Sequence, residues 1–175
     1  DQLWDQSAIG SWGESICYDP DVNLQRGMID DVRPLMVTGM TGRLPELSSF
    51  LAPDNGWFGT AAEGWEEQPY WLRGFYSLAR LAGDPPLRTE ANRWIEAVLS
   101  SQDGEGYFGA RFHKRVTGNN GQAVCDLWPH MVMLDAVVRH HEATQDARVL
   151  PFMTRFFAFC RDLPNDQFIP AFRDG

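Results

Sequence analysis

Twice in this chain a helix stop and a helix start fall within four residues, 62 positions apart, and that spacing narrows the architecture more than any other feature. Leu81-Ala82-Gly83-Asp84 aligns with Ala143-Thr144-Gln145-Asp146, and the same offset pairs Trp94 with Phe156 and Ile95 with Phe157. Gly83 suits the residue just past a helix end, Asp84 a capping position, and Pro85-Pro86 the first turn of the next helix. A second echo, Gly56-Trp57-Phe58-Gly59 and Gly106-Tyr107-Phe108-Gly109, lies 50 residues apart. The repeating unit is a buried helix, a tight turn, an amphipathic helix and a glycine–aromatic loop. A period of about 50–60 residues with two helices per unit specifies stacked helical hairpins, as an open solenoid or a closed (α/α) toroid. The alternation of buried and amphipathic helices favours the toroid.

Apolar periodicity places the helices. Residues 1–23 have no clear period and read as an irregular lead-in. Met28, Val32, Leu35 and Met36 give helical spacing over 24–38, with a kink or division expected at Pro34. Gly39-Met40-Thr41-Gly42 is expected to end that helix, and 43–65, rich in turn formers, to be loop. A second helix is expected over 67–81. Trp71, Phe75, Leu78 and Ala82 form one stripe and Leu72, Tyr76 and Ala79 another, which marks burial on most faces. The third, 86–101, sets Leu87, Ala91, Trp94 and Val98 on one face with charges off it. The fourth is expected over 122–144, on Leu127, Met131, Leu134 and Val138. The fifth covers 147–161, on Val149, Met153, Phe156 and Cys160. The expected fold class is all-α, with only short strands.

A length of 175 residues suits one domain. With 15 Lys+Arg against 24 Asp+Glu the net charge is −9, which repels phosphates and excludes a nucleic-acid partner. No apolar run approaches the roughly 18–20 residues that span a bilayer, so no membrane partner is expected. Cys17, Cys125 and Cys160 are odd in number and lack a CxxC pair, so neither a disulfide framework nor a metal site is expected, and no cofactor. Asp103-Gly104-Glu105 lacks the ligand spacing of a calcium loop. The 22 aromatic residues, 13% of the chain, are the unusual entry in its composition. Aromatic rings fill cores, but their faces also meet the apolar C–H faces of sugars.

Several motifs, in order, carry a family resemblance. They are Thr41-Gly42-Arg43-Leu44-Pro45-Glu46, Gly56-Trp57-Phe58-Gly59, and Gly64-Trp65-Glu66 followed by Pro69-Tyr70-Trp71-Leu72 and Gly74. Ser101-Gln102-Asp103-Gly104, Tyr107-Phe108-Gly109 and Asp126-Leu127-Trp128-Pro129-His130-Met131-Val132-Met133-Leu134 complete the series. From Leu24 onward the chain resembles the DUF1680 group of glycoside hydrolases, which includes the β-L-arabinofuranosidases of glycoside hydrolase family 127. The resemblance implies an (α/α)6 toroid with a carbohydrate cavity at one end, residues 24–175 supplying about half of it as the N-terminal portion of a longer catalytic domain. It also implies a cysteine nucleophile in a zinc-bound, cysteine-rich site later in such proteins. This chain has no Cys-Cys pair to match that site, and Cys125 belongs to a different motif. The implied partners are a carbohydrate and the remainder of the parent polypeptide, with self-association through an apolar flank left uncovered.

Trp65-Glu66-Glu67-Gln68-Pro69-Tyr70-Trp71 is the densest polar–aromatic cluster and sits where a loop enters a buried helix. Glycosidases need a carboxylic acid to protonate the leaving oxygen and a second group as base or nucleophile. Glu66 and Glu67 diverge by about 100° on a helix, so at most one serves a given bond. Glu66 is the candidate acid. Substrate binding and simple charge at a helix N-terminus are its other two roles. Candidate sugar contacts are Trp57, Trp65, Glu67, Gln68, Tyr70, Tyr107, Asp126, Trp128 and His130. For Trp57 and Tyr107 core packing is the alternative, for His130 a satisfied core histidine, and for Asp126 a helix-terminal charge. His140 and His141 read as solvated or dipole-stabilising residues at the far end of the same helix. Hydrolysis of a sugar is the leading function; a non-catalytic carbohydrate-binding or scaffold unit is the alternative.

Overall fold

A computed structural model describes residues 31–52, 54–58, 64–117, 121 and 123–167. The lead-in over 1–23 lies outside the described residues. Residues 31–38 are helical straight through Pro34. There follow α1 (Met40–Leu47), α2 (Glu67–Ala82), α3 (Pro85–Ser100), α4 (Trp128–Thr144) and α5 (Val149–Asp162). Between α3 and α4 lies a two-stranded antiparallel ribbon, β1 (Val116–Thr117) and β2 (Ala123–Val124), pairing Val116 with Val124. The fold is all-α.

The 62-residue repeat appears as a parallel pair of helices. Trp128 meets Glu66 at 3.1 Å, Arg73 lies 3.8 Å from Asp135, Tyr76 Oη lies 3.0 Å from His140 Nδ1, and Arg80 donates to the Ala143 carbonyl at 3.0 Å. These links run from the N-terminal to the C-terminal ends of α2 and α4, each 62–64 residues apart in sequence. The helices therefore lie side by side, in register and pointing the same way. Each ends in a left-handed residue, Gly83 (φ 70°) and Gln145 (φ 56°), and each turns back through an aspartate. Asp84 Oδ1 accepts from the Leu87 amide at 3.0 Å, and Asp146 Oδ1 from the Arg148 amide at 2.9 Å. The returning helices are α3 and α5. Trp94 and Phe156 are both buried, as the repeat predicts, but Ile95 is buried while Phe157 is exposed.

Two expectations are corrected. Residues 40–47, expected as a break and loop, form α1. Gly39 and Gly42 let the two short helices abut, since a Cβ on them would fall 2.4 Å from the Leu35 oxygen and 1.9 Å from the Val37 oxygen. Pro45 within α1 has no N–H for the Thr41 carbonyl, and the Trp71 indole N–H of α2 fills that place at 3.1 Å. The fourth helix begins at Trp128 rather than near residue 122, because Ala123 and Val124 pair in the ribbon. Along α4, Met131 is 58% exposed, whereas Met133, Leu134, Ala136 and Val137 are buried. A helix apolar on most faces does not reveal from sequence which face turns inward.

Candidate functional site

The N-terminal ends of α2 and α4 bring together a network of indoles, imidazoles and carboxylates. Trp65 sits at its centre. It stacks on Trp57 (centroids 4.5 Å, planes 14° apart) and, through its other face, on His113 (4.2 Å, 8°). The Trp57 indole N–H donates to the Trp65 carbonyl at 2.9 Å, and the Trp65 indole N–H to Asp126 Oδ2 at 3.3 Å. Gly109 makes the stack possible. It holds φ +88°, and a Cβ there would lie 2.9 Å from the Trp57 ring and 3.0 Å from the Trp65 ring.

Asp126 joins three elements. Oδ2 also lies 3.4 Å from His113 Nδ1, and Oδ1 accepts from the Trp128 amide at 3.1 Å, satisfying an N–H at the start of α4. Its own amide donates to the His113 carbonyl at 3.0 Å. The His113 contact, with the Trp128 amide and the Trp65 indole, holds the Asp126 carboxyl below the usual carboxylate range, against the opposing effect of burial. Asp126 is therefore ionised and is no proton donor near neutral pH.

Glu66 stands just before α2, exposed, and its Oε1 accepts from the Trp128 indole N–H at 3.1 Å. Trp128 is 42% exposed and Tyr70, one turn into α2, 43%. Glu67 is exposed as well. Among the expected site residues, Glu66, Glu67, Tyr70 and Trp128 thus face solvent and Asp126 is half-buried behind them. Trp57, Trp65, Gln68, Tyr107 and His130 are enclosed in the core. The Tyr107 hydroxyl donates to the Ala110 carbonyl at 2.9 Å. His130 is ringed by Trp57, Trp65, Tyr107, Phe108 and Phe156, with Nε2 2.8 Å from the Phe108 carbonyl. Burial pushes its pKa down to about 4, so the ring is neutral. His130 Nδ1 and both amide atoms of Gln68 are buried without a hydrogen-bond partner, and the 3.4 Å approach of His113 Nδ1 to Asp126 is an electrostatic contact without hydrogen-bond geometry.

Sequence reading missed His113. It lies in a short 3-10 turn, Arg111–His113, where no apolar period points to it. Of the two roles expected for His140, solvation is excluded: it is buried between Tyr76 and Asp146, its Nε2 3.3 Å from Asp146 Oδ2. The Asp103 loop closes on itself. Oδ1 accepts from the Glu105 and Tyr107 amides, while Arg111 and Lys114 each reach Oδ2 at 2.7 Å. The family's zinc-bound cysteine site has no fit here: among the described residues no group of His, Cys, Asp and Glu is placed to hold a metal. Burial pushes the Cys125 thiol up to about 12 and the Cys160 thiol up to about 11, which favours the neutral thiol in both. Among the described residues no helix is long and apolar enough to cross a membrane.

The rim exposes groups that differ in chemistry from the core behind it. An exposed indole and phenol offer faces for C–H stacking, and an exposed carboxylate is oriented by a neighbouring N–H. An ionised aspartate lies behind them. No curated protein and no solved structure matches the chain. A family model described as β-L-arabinofuranosidase, GH127 catalytic domain, matches residues 38–168, which contain every residue of this network. The chain belongs to the GH127 β-L-arabinofuranosidase-like family of glycoside hydrolases.

Proposed function

We propose that this chain is the N-terminal portion of an arabinofuranosidase-like hydrolase acting on plant or microbial oligosaccharide or polysaccharide sugars, and that the sugar binds at the Glu66–Trp128 rim. The observation that supports this most is the exposed Glu66 carboxylate, held by the Trp128 indole where the N-termini of two parallel helices meet. Glu66 is the group that protonates the leaving oxygen or binds a sugar hydroxyl. Trp128 and Tyr70 take the apolar sugar face. Asp126, kept ionised, places Trp128 and offers negative charge to a developing oxocarbenium ion. The buried residues Trp57, Trp65 and His130 support the rim from below.

In this reading the described hairpins are part of an (α/α)6 toroid, and the remaining reactive groups come from the rest of the polypeptide. Val32, Leu35, Met36 and Leu81 are exposed, and a cavity of about 390 Å³ opens beside them, lined by Met36, Gly74 and Leu78 among others. An apolar flank of this kind suits cover by a further hairpin or a second copy of the chain. The test is release of sugar from an aryl β-L-arabinofuranoside by the complete polypeptide and by the 175-residue chain. Turnover by the complete polypeptide alone supports the proposal. Binding of the sugar without turnover by either favours a carbohydrate-binding role instead.

A further inference from the structure

Seven residues beyond Glu66 on α2, Arg73 occupies an unusual position. Its guanidinium lies 5.9 Å over the Tyr70 ring and 3.8 Å from Asp135 of α4, too far for a hydrogen bond, and both side chains are about half exposed. Asp135 is already engaged by Arg139, whose Nε donates to it at 3.1 Å. Two guanidiniums thus share one carboxylate, on a chain whose net charge is −9. Arg80, two turns further along α2, adds a third guanidinium on the same seam, where it donates to the Ala143 carbonyl. Arg73, Asp135 and Arg139 are each about half exposed, and Tyr70 beneath Arg73 is exposed as well.

This seam continues the Glu66–Trp128 rim. Seven residues of helix advance about 10 Å, and side chains tilt back toward the helix N-terminus, so Arg73 reaches a group roughly one to two sugar units from Glu66. A guanidinium with no hydrogen bond among the described residues, set above an aromatic ring, suits a planar carboxylate joined to a ring with an apolar face.

We propose that Arg73, with Tyr70 beside it, is a subsite for a carboxylate-bearing sugar, a uronic acid, next to the sugar held at Glu66. This deepens the proposed function and rests on its placing of the sugar at the rim. Arg139 keeps Asp135 occupied, so that Arg73 is offered to the ligand rather than locked in an ion pair.

The experiment titrates the complete polypeptide with galacturonic acid and, separately, with galactose, following binding by calorimetry or ligand-observed NMR. The uronic acid binds at least tenfold more tightly. Arg73→Gln removes that preference, and 0.5 M sodium chloride reduces it, as expected for a half-exposed charge. Arg73→Lys, which keeps the charge but loses the planar fork, restores part of it. Equal affinity for the two sugars, or a preference unchanged in Arg73→Gln, overturns the inference. A folded Arg73→Gln protein, shown by an unchanged thermal melt, makes the second result decisive. Hydrolysis of the neutral aryl furanoside by the wild-type polypeptide reads the proposed function separately, so the two fail independently.

Discussion

The Trp128 indole N–H donates to Glu66 Oε1 across 3.1 Å, joining two residues 62 positions apart in sequence at the mouths of two parallel helices. The bond orients an exposed carboxylate without burying it. Trp128→Phe keeps the ring but removes the donor. Because the side chain is 42% exposed, the melting temperature should barely change. In the complete polypeptide, kcat/KM should fall by about tenfold, the order of one hydrogen bond to a charged group. Steady-state kinetics beside a thermal melt read both quantities.

Gly109 is the hinge of the indole stack. A methyl group at φ +88° is strained, and it would press into the Trp57 and Trp65 rings. Gly109→Ala should cost roughly 2–4 kcal/mol from strain and overpacking together. That corresponds to a fall of roughly 5–15 °C in melting temperature for a domain of this size. Differential scanning calorimetry gives the value directly.

His130 makes stability depend on pH. Its folded pKa of about 4 lies below the value of about 6.5 in an unfolded chain. As pH falls from about 6.5 to about 4 the unfolded state takes up the proton first. The stabilisation from keeping this ring neutral is therefore complete above that window and lost as pH drops through it, by up to about 3 kcal/mol. Urea denaturation of the wild type and His130→Phe at several pH values should show the difference between them shrinking toward acid.

Trp71 ties α2 to α1 through the Thr41 carbonyl that Pro45 leaves open. It also stacks on Phe75 at 4.4 Å and meets Trp94 edge-on at 5.7 Å. Trp71→Phe should cost about 1 kcal/mol for the lost hydrogen bond, and Trp71→Ala roughly 3–5 kcal/mol for the cavity. Equilibrium unfolding distinguishes the two.

The parts of this fold legible in the sequence are those set by local chemistry. Gly83-Asp84-Pro85 and Gln145-Asp146 marked both turns, because left-handed termini and aspartate caps need those residue types. The ends of α2 and α3 fell within a residue of expectation for the same reason. Helix α1 was hidden because Gly42 and Pro45 read as breakers, and their tolerance depends on Trp71, 30 residues away. The ribbon had a local signal, Asn120-Gly121 between two short pairs containing valine, which is a hairpin pattern. At the site, the motifs singled out Trp65, Glu66, Asp126 and Trp128. Burial then divided the candidates: sequence does not tell an exposed aromatic, such as Trp128, from one that fills a core, such as Trp57. His113 was invisible because only the folded loop brings it onto Trp65.

Glu66→Gln in the complete polypeptide tests the central claim most directly, since it removes the proton and the negative charge while preserving shape and the Trp128 contact. Hydrolysis of an aryl β-L-arabinofuranoside should fall by at least a hundredfold in kcat, the scale of a lost general acid, with the melting temperature unchanged because Glu66 is exposed. Wild-type turnover in a properly folded Glu66→Gln protein would contradict the placing of the reaction at this rim.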